Sequence, residues 1–263
     1  HELRAGVELI RRERLDAASA PGGTDDRVAL FAVNEMRVGP NLTITPALRY
    51  ETSSIDAELN DGSEVSYDND ALVGGVSARY AFDSGFSVFA SGAYTENLPI
   101  LDDLETPELM EQPEKARTWE AGVAYDALDV FAEGDALAVK ATAYDTLLWD
   151  VTSYQGLGTP DVTEVDLQGL ELEASYAMAS GLYVDLNANL VSGEETLSDG
   201  ATAEWRNAPA DTARLTLGRR FGEALDLSWE VAAARGETYA GARTPGYAVH
   251  NLRATWAPQE GWL

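Results

Sequence analysis

The sequence predicts an all-β fold: a transmembrane antiparallel β-barrel wall of about twelve strands, with short periplasmic turns and long extracellular loops. Three observations predict it. Connections between strands alternate strictly between short and long. The strands run to roughly 10–14 residues, well beyond the usual mode of about 5–6 in soluble sheets. Along each strand, apolar side chains alternate with polar and charged ones at period two.

The elements follow in order. Strand one covers about 1–12 and leads into the long loop LDAASAPGGTDD. Strand two, about 27–38, turns at Gly39-Pro40-Asn41 into strand three, about 42–52. A long polar loop, SSIDAELNDGSEVSYDND, precedes strand four at about 71–82, and Asp83-Ser84-Gly85 turns into strand five at about 86–96. A long acidic loop through Leu101 to Gln112 reaches strand six, about 116–131, which turns at Glu133-Gly134-Asp135 into strand seven, about 136–149. The loop SYQGLGTPDV precedes strand eight, about 164–178, and Ala179-Ser180-Gly181 leads to strand nine, about 182–192. The loop GEETLSDGATAEWRNAPA precedes strand ten, about 211–221. A turn at Gly222-Glu223 gives strand eleven, about 225–236. A loop with Thr238, Gly241 and Gly246 gives strand twelve, about 247–257, before a turn at Pro258 to Gly261.

The faces explain why such strands belong in a membrane. Leu182, Val184, Leu186 and Leu190 oppose Tyr183, Asp185, Asn187 and Asn189; Leu170 and Leu172 oppose Glu171 and Glu173; Leu215 and Leu217 oppose Arg214 and Thr216. An Arg or Lys at the bilayer midplane costs roughly 2–4 kcal/mol, so the charged face must line a wet interior. Closure of the barrel is expected, because an open edge in lipid leaves backbone groups unpaired. Tyr80, Trp119, Tyr125, Tyr176 and Trp256 lie near strand ends on the apolar face, as interfacial girdles require. Two misfits point to local irregularity. Pro46 inside strand three predicts a bulge or irregular pairing. Val165 and Leu167 are out of phase with Leu170 and Leu172, which predicts a bulge near Gln168-Gly169.

Composition bounds the chemistry. The 263 residues carry a net charge of −27, which argues against nucleic acid as a partner. Cysteine is absent and His1 and His250 are the two histidines, so thiolate sites and histidine triads have almost nothing to build on. No apolar run reaches the length of a transmembrane helix. The mean hydropathy of −0.22 is compatible with membrane strands, whose two faces average out. No cofactor, metal site or enzymatic activity is expected.

The segments YTENLPILDDLE, PEKARTWEAG and LQGLELEASY resemble strands of TonB-dependent outer-membrane receptors of the haem and siderophore type. In the first, an aromatic-rich strand runs into a proline, an apolar residue and an acidic pair. In the second, Trp119, Glu120 and Gly122 follow a proline-glutamate signature. The third is similar to a Gly-x-Glu-x-Glu strand. The resemblance covers essentially residues 1–263 and implies a partial barrel, about twelve strands of a roughly 22-stranded one, without the plug domain that reaches the TonB complex. It implies a bacterial outer-membrane location, contact with outer-membrane lipid, and TonB-energised uptake of an iron chelate or haem. Haem-type receptors carry a histidine after the proline motif. The span Asn97 to Gln112 has none, which counts against haem.

On this reading the loop residues Asn97, Pro99, Asp102, Asp103 and Glu105 are ligand-facing candidates. Arg79, Glu120, Lys140, Glu171, Glu173, Asp185, Asn187 and Arg214 are lumen-facing candidates, with Glu120 expected to pair with Arg79 or Lys140. Asp56, Glu58, Asp61, Glu64, Asp68 and Asp70 read as a mobile solvated loop in preference to a calcium site, and His250 as an interfacial histidine on the face of Leu252 and Trp256. Two other function classes stand beside the receptor. One is a self-contained outer-membrane barrel acting as an adhesin, autotransporter domain or passive pore. The other is a soluble all-β binding protein.

Overall fold

In a computed structural model of the chain, residues 1–15, 21–152, 161–239 and 241–257 are described. Twelve long strands form one antiparallel meander: β1 (Glu2–Arg14), β2 (Gly23–Val38), β3 (Leu42–Glu58), β4 (Glu64–Ala81), β5 (Phe86–Asn97), β6 (Glu114–Leu128), β7 (Ala136–Trp149), β8 (Val162–Ala177), β9 (Leu182–Leu197), β11 (Thr212–Phe221), β12 (Leu225–Ala234) and β15 (Tyr247–Trp256). A short β10 (Thr202–Glu204) pairs with β9, and β13 (Glu237–Tyr239) and β14 (Ala242–Thr244) make a separate hairpin. The loops at 16–20 and 153–160 and the turn at Pro258 to Gly261 lie, wholly or in their central part, outside the described residues.

The sheet is a curved wall and does not close. β1 and β15 stand at its two ends, each laddered on one side, as expected of about twelve strands of a larger barrel. Strand length explains the crossing. Ten residues at about 3.4 Å per residue span the apolar band of roughly 25 Å even when tilted. β3 and β4, with 17 and 18 residues, run well past it. The stretch expected as a loop between them is therefore mostly ladder. Thr52 through Glu58 pair with Asp70 back to Glu64, and the loop proper is Leu59 to Ser63.

The register fixes the faces. Arg79, Phe89, Gly122, Thr142, Glu171, Asn189 and Thr212 form one row across seven strands on the inner face. The outer face carries Leu170, Leu182, Leu190, Leu217, Leu227 and Leu252, all exposed because lipid is their partner. Ring pairs mark the periplasmic ends: Tyr80 with Phe82 at 4.8 Å, Phe86 with Tyr125 at 4.5 Å, and Phe131 with Tyr176 at 5.7 Å. Trp119 is not at a strand end. It sits five residues inside β6, which begins earlier than its sequence suggests, and its ring covers Gly92.

Glycines answer to close approach at two points. A Cβ on Gly122 would meet both the Phe89 ring and the backbone carbonyl of Ala141. Gly181 has a φ of +85° in its turn, with the Arg220 carbonyl against it. Both expected irregularities resolve. Opposite Pro46, the β2–β3 ladder skips the pairs at Asn34 and Glu35 while its register is unchanged, because proline has no N–H to give. The bulge expected near Gln168-Gly169 lies instead at Thr163, where the β8–β9 register shifts between Val162 and Glu164. Val165 and Leu167 are in phase with the inner face. They look apolar there because they sit above the wet lumen, in a cluster with Val151, Val162 and Trp205.

Candidate ligand-facing surface at the extracellular end

The loop after β5 is a folded lid. Leu101–Asp103 forms a 3-10 turn, and Pro107–Met110 a single helical turn, α1. Leu101, Leu104 and Met110 are buried against Ile55, with Ala57, Leu59, Val65 and Tyr67 packed around them. The apolar inner face of the β3–β4 hairpin thus supplies a floor for the lid. On the opposite face of that hairpin, Asp56, Glu58, Glu64, Asp68 and Asp70 all point outward to solvent. The acidic stretch is an amphipathic hairpin, which corrects the expected mobile loop. Asp61 closes it: its carboxylate accepts from the Ser63 hydroxyl at 2.6 Å and the Ser63 amide at 2.9 Å, which holds its pKa below the ordinary value.

Beneath the lid lies a charge network that the sequence did not single out. Arg27, 8% exposed, donates to Asp25 at 2.7 Å, to Glu51 at 3.3 Å and to the Pro99 carbonyl at 3.0 Å. Asp25, 1% exposed, also accepts from the Ser53 hydroxyl at 2.7 Å. Arg49 bridges Glu51 at 2.5 Å and Glu8 at 2.7 Å. Arg14 donates to the Leu101 carbonyl at 2.5 Å and lies 3.3 Å from Asp102. Arginines of β1 and β2 therefore fasten the lid from below. Period two does align these residues, since Arg27 pairs with Ser53 in register. A strand that begins at Arg27 leaves Asp25 outside it, whereas β2 begins at Gly23 and includes both.

The loop candidates now have definite places. The Asn97 amide lies 3.4 Å from Glu114. Pro99 is buried and its carbonyl is held by Arg27. Asp102 and Glu105 are exposed, with Glu105 accepting from Asn60. Asp103 is half-buried; its pKa is raised by burial first and by the Asp102 charge second.

In the lumen, Lys140, Glu173, Asn187 and Arg214 make one row across β7, β8, β9 and β11. Lys140 pairs with Glu173 at 3.1 Å. Glu120 accepts from the Ser91 hydroxyl at 3.1 Å, and Arg79 donates to the Ser87 hydroxyl at 3.2 Å, so the expected Glu120 pair with Arg79 or Lys140 is not formed. The register explains it: Glu120 faces Ser91 and Tyr144, one step off the row of Arg79. Asp185 lies a step below, opposite Ser175 and Thr216. A recess of about 450 Å³ brings together Glu171, Glu173, Asn187, Asn189 and Arg214. His250 is on the outer face, stacked with Trp229 at 5.6 Å. Among the described residues no three His, Asp or Glu side chains converge as metal ligands.

A lipid-facing wall with a charged inner face, short turns at one end and a folded lid at the other defines an outer-membrane barrel of the receptor class. The family model described as TonB dependent receptor-like, beta-barrel, matches residues 9–262, and the chain belongs to that family, which is outer-membrane. Solved structures agree on the fold. The copper transporter OprC superposes with a TM-score of 0.77 at 16% identity, over 98% of this chain and 46% of that one. The ferric citrate transporter FecA, unliganded, gives 0.77 at 16%, over 98% and 44%. The Serratia marcescens hemophore receptor HasR, in complex with its hemophore HasA and heme, gives 0.73 at 18%, over 98% and 51%. The chain thus spans about half the length of these structures. No curated protein sequence matches it.

Proposed function

We propose that this chain forms part of the wall and the extracellular lid of a receptor for TonB-energised uptake of an iron-containing ligand. A ferric siderophore fits better than haem. The observation that carries the reading is the lid at 98–113, folded across the inner face of the β3–β4 hairpin and fastened to arginines of the wall. On this reading its exposed Asp102 and Glu105 are the groups that an incoming chelate would first touch. The absence of histidine between Asn97 and Gln112 removes the usual axial ligand for haem from this rim. Family membership supports transport, and similar structures include a ferric citrate transporter and a hemophore receptor, but also a copper transporter. Coupling to TonB would run through a plug domain, with the row from Lys140 to Arg214 as wall contacts.

The test is binding of haem, a panel of ferric siderophores and copper to the full-length protein, with and without residues 98–112. Saturable binding of a ferric siderophore that disappears with the lid is the expected result. Binding of haem or copper alone, or siderophore binding indifferent to the lid, would rule the reading out.

A further inference from the structure

On β9, β11 and β12 near their periplasmic turns, the described lipid-facing side chains are apolar or aromatic except at Arg219. It shares the outer face of β11 with Ala213, Leu215 and Leu217, and its register partners are Leu182 on β9 and Leu227 on β12. Its guanidinium lies 4.8 Å from the Phe221 ring centroid. The ion pairs of this strand belong to Arg214 and Arg220, which point into the lumen, and among the described residues none is formed by Arg219.

Arg219 stands at the end of an apolar trough of 700 Å³ lined by Met178, Leu182, Val184, Leu217, Leu227 and Leu252. Trp229, stacked on His250 with an interplanar angle of 17°, closes the side away from the turns. Arg219 lies two residues from the end of β11, about 7 Å along the strand, so its long side chain reaches the headgroup level. A lipid-facing cation at that depth requires a counter-anion, and the anion available there is a lipid phosphate. The chain as a whole, at −27, repels one.

We infer that Arg219 and this trough bind one phosphate-bearing diacyl lipid of the periplasmic leaflet. The guanidinium holds the phosphate and an acyl chain lies along Leu217 and Leu252. The site rests on the outer-membrane placement of the wall and is independent of what the receptor carries.

The test uses full-length protein saturated with phosphatidylglycerol in detergent, then washed, with retained lipid counted by mass spectrometry. Wild type and R219K retain the lipid, whereas R219A retains about fivefold less, the loss expected for one arginine at a membrane surface. Diacylglycerol of the same chains is not retained, and inorganic phosphate does not displace the phospholipid. Brominated phosphatidylglycerol quenches a fluorescence component that is lost in W229F. Heat-modifiable migration reports membrane insertion separately. R219Q serves should R219A fail to insert. Retention by R219A or R219Q equal to wild type, or equal retention of diacylglycerol, overturns the site. With insertion intact, that result leaves the barrel reading untouched.

Discussion

Arg27 holds three groups at once, Asp25, Glu51 and the Pro99 carbonyl, in a setting where neither it nor Asp25 is open to water. Replacing it with Met leaves Asp25 buried beside a missing partner, which costs about 3–5 kcal/mol. We expect R27M to lower the urea midpoint and D25N/R27M to recover part of the loss; equal midpoints for R27M and wild type would show that the network does not hold the wall. Gly122 offers a second test. Ala at this position forces a Cβ against the Phe89 ring and the Ala141 carbonyl. Overpacking of this kind costs about 1–3 kcal/mol, and F89A does not rescue it, because the carbonyl belongs to the backbone. Residue by residue, alternation in the sequence sorts the side chains of each strand onto two faces. It did not show which of them touch. Glu120 and Arg79 are on one face but in different rows, and rows depend on register, which turn lengths and strand ends set.

At the scale of elements, the lid and the β3–β4 hairpin form one unit with a small core of its own. Leu104 is fully buried in it, so L104A removes about 2–5 kcal/mol from this unit while the strands within the membrane are untouched. Hydrogen exchange should then accelerate across 98–113 and leave the amides of β8 and β9 protected. The lid should also respond to pH. Asp103 has a pKa raised above 3.8 by burial and by Asp102, so the folded lid binds a proton more readily than the open one. Its protection should be greatest below 3.8 and decline as pH rises through the raised value; D103N should remove that decline. The periplasmic turn between β6 and β7 has the opposite sign. Asp135 is desolvated, but hydrogen bonds from Tyr176 and from the amides of Phe131, Val130 and Ala132 prevail and lower its pKa. That turn should loosen as pH falls through a value below 3.8, seen as faster exchange at those three amides. The long connections were the least legible part of the chain. Asp56 to Asp70 reads as loop because its acidic face is the conspicuous one, whereas the face that folds it, Ile55, Ala57, Val65 and Tyr67, gains meaning only beside Leu104 and Met110.

For the whole molecule, the pattern of short and long connections carried most of the architecture. All twelve long strands occur where alternation and turn residues put them, but at their extracellular ends β2, β3, β4 and β9 run four to seven residues further than the sequence suggests. The open wall agrees with the partial barrel that the resemblance implies: β1 and β15 do not pair with each other. The central claim is that this wall crosses the outer membrane with its turns inside and its lid outside. Because these 263 residues hold no cysteine, single substitutions within them can be read against the unsubstituted full-length protein as the background. E108C, in the lid, and E133C, in the turn between β6 and β7, are both at exposed positions. A membrane-impermeant maleimide applied to intact cells expressing the full-length protein should label E108C at once and E133C only after the outer membrane is opened. Labelling of E133C on intact cells, or equal labelling of both, would contradict the account.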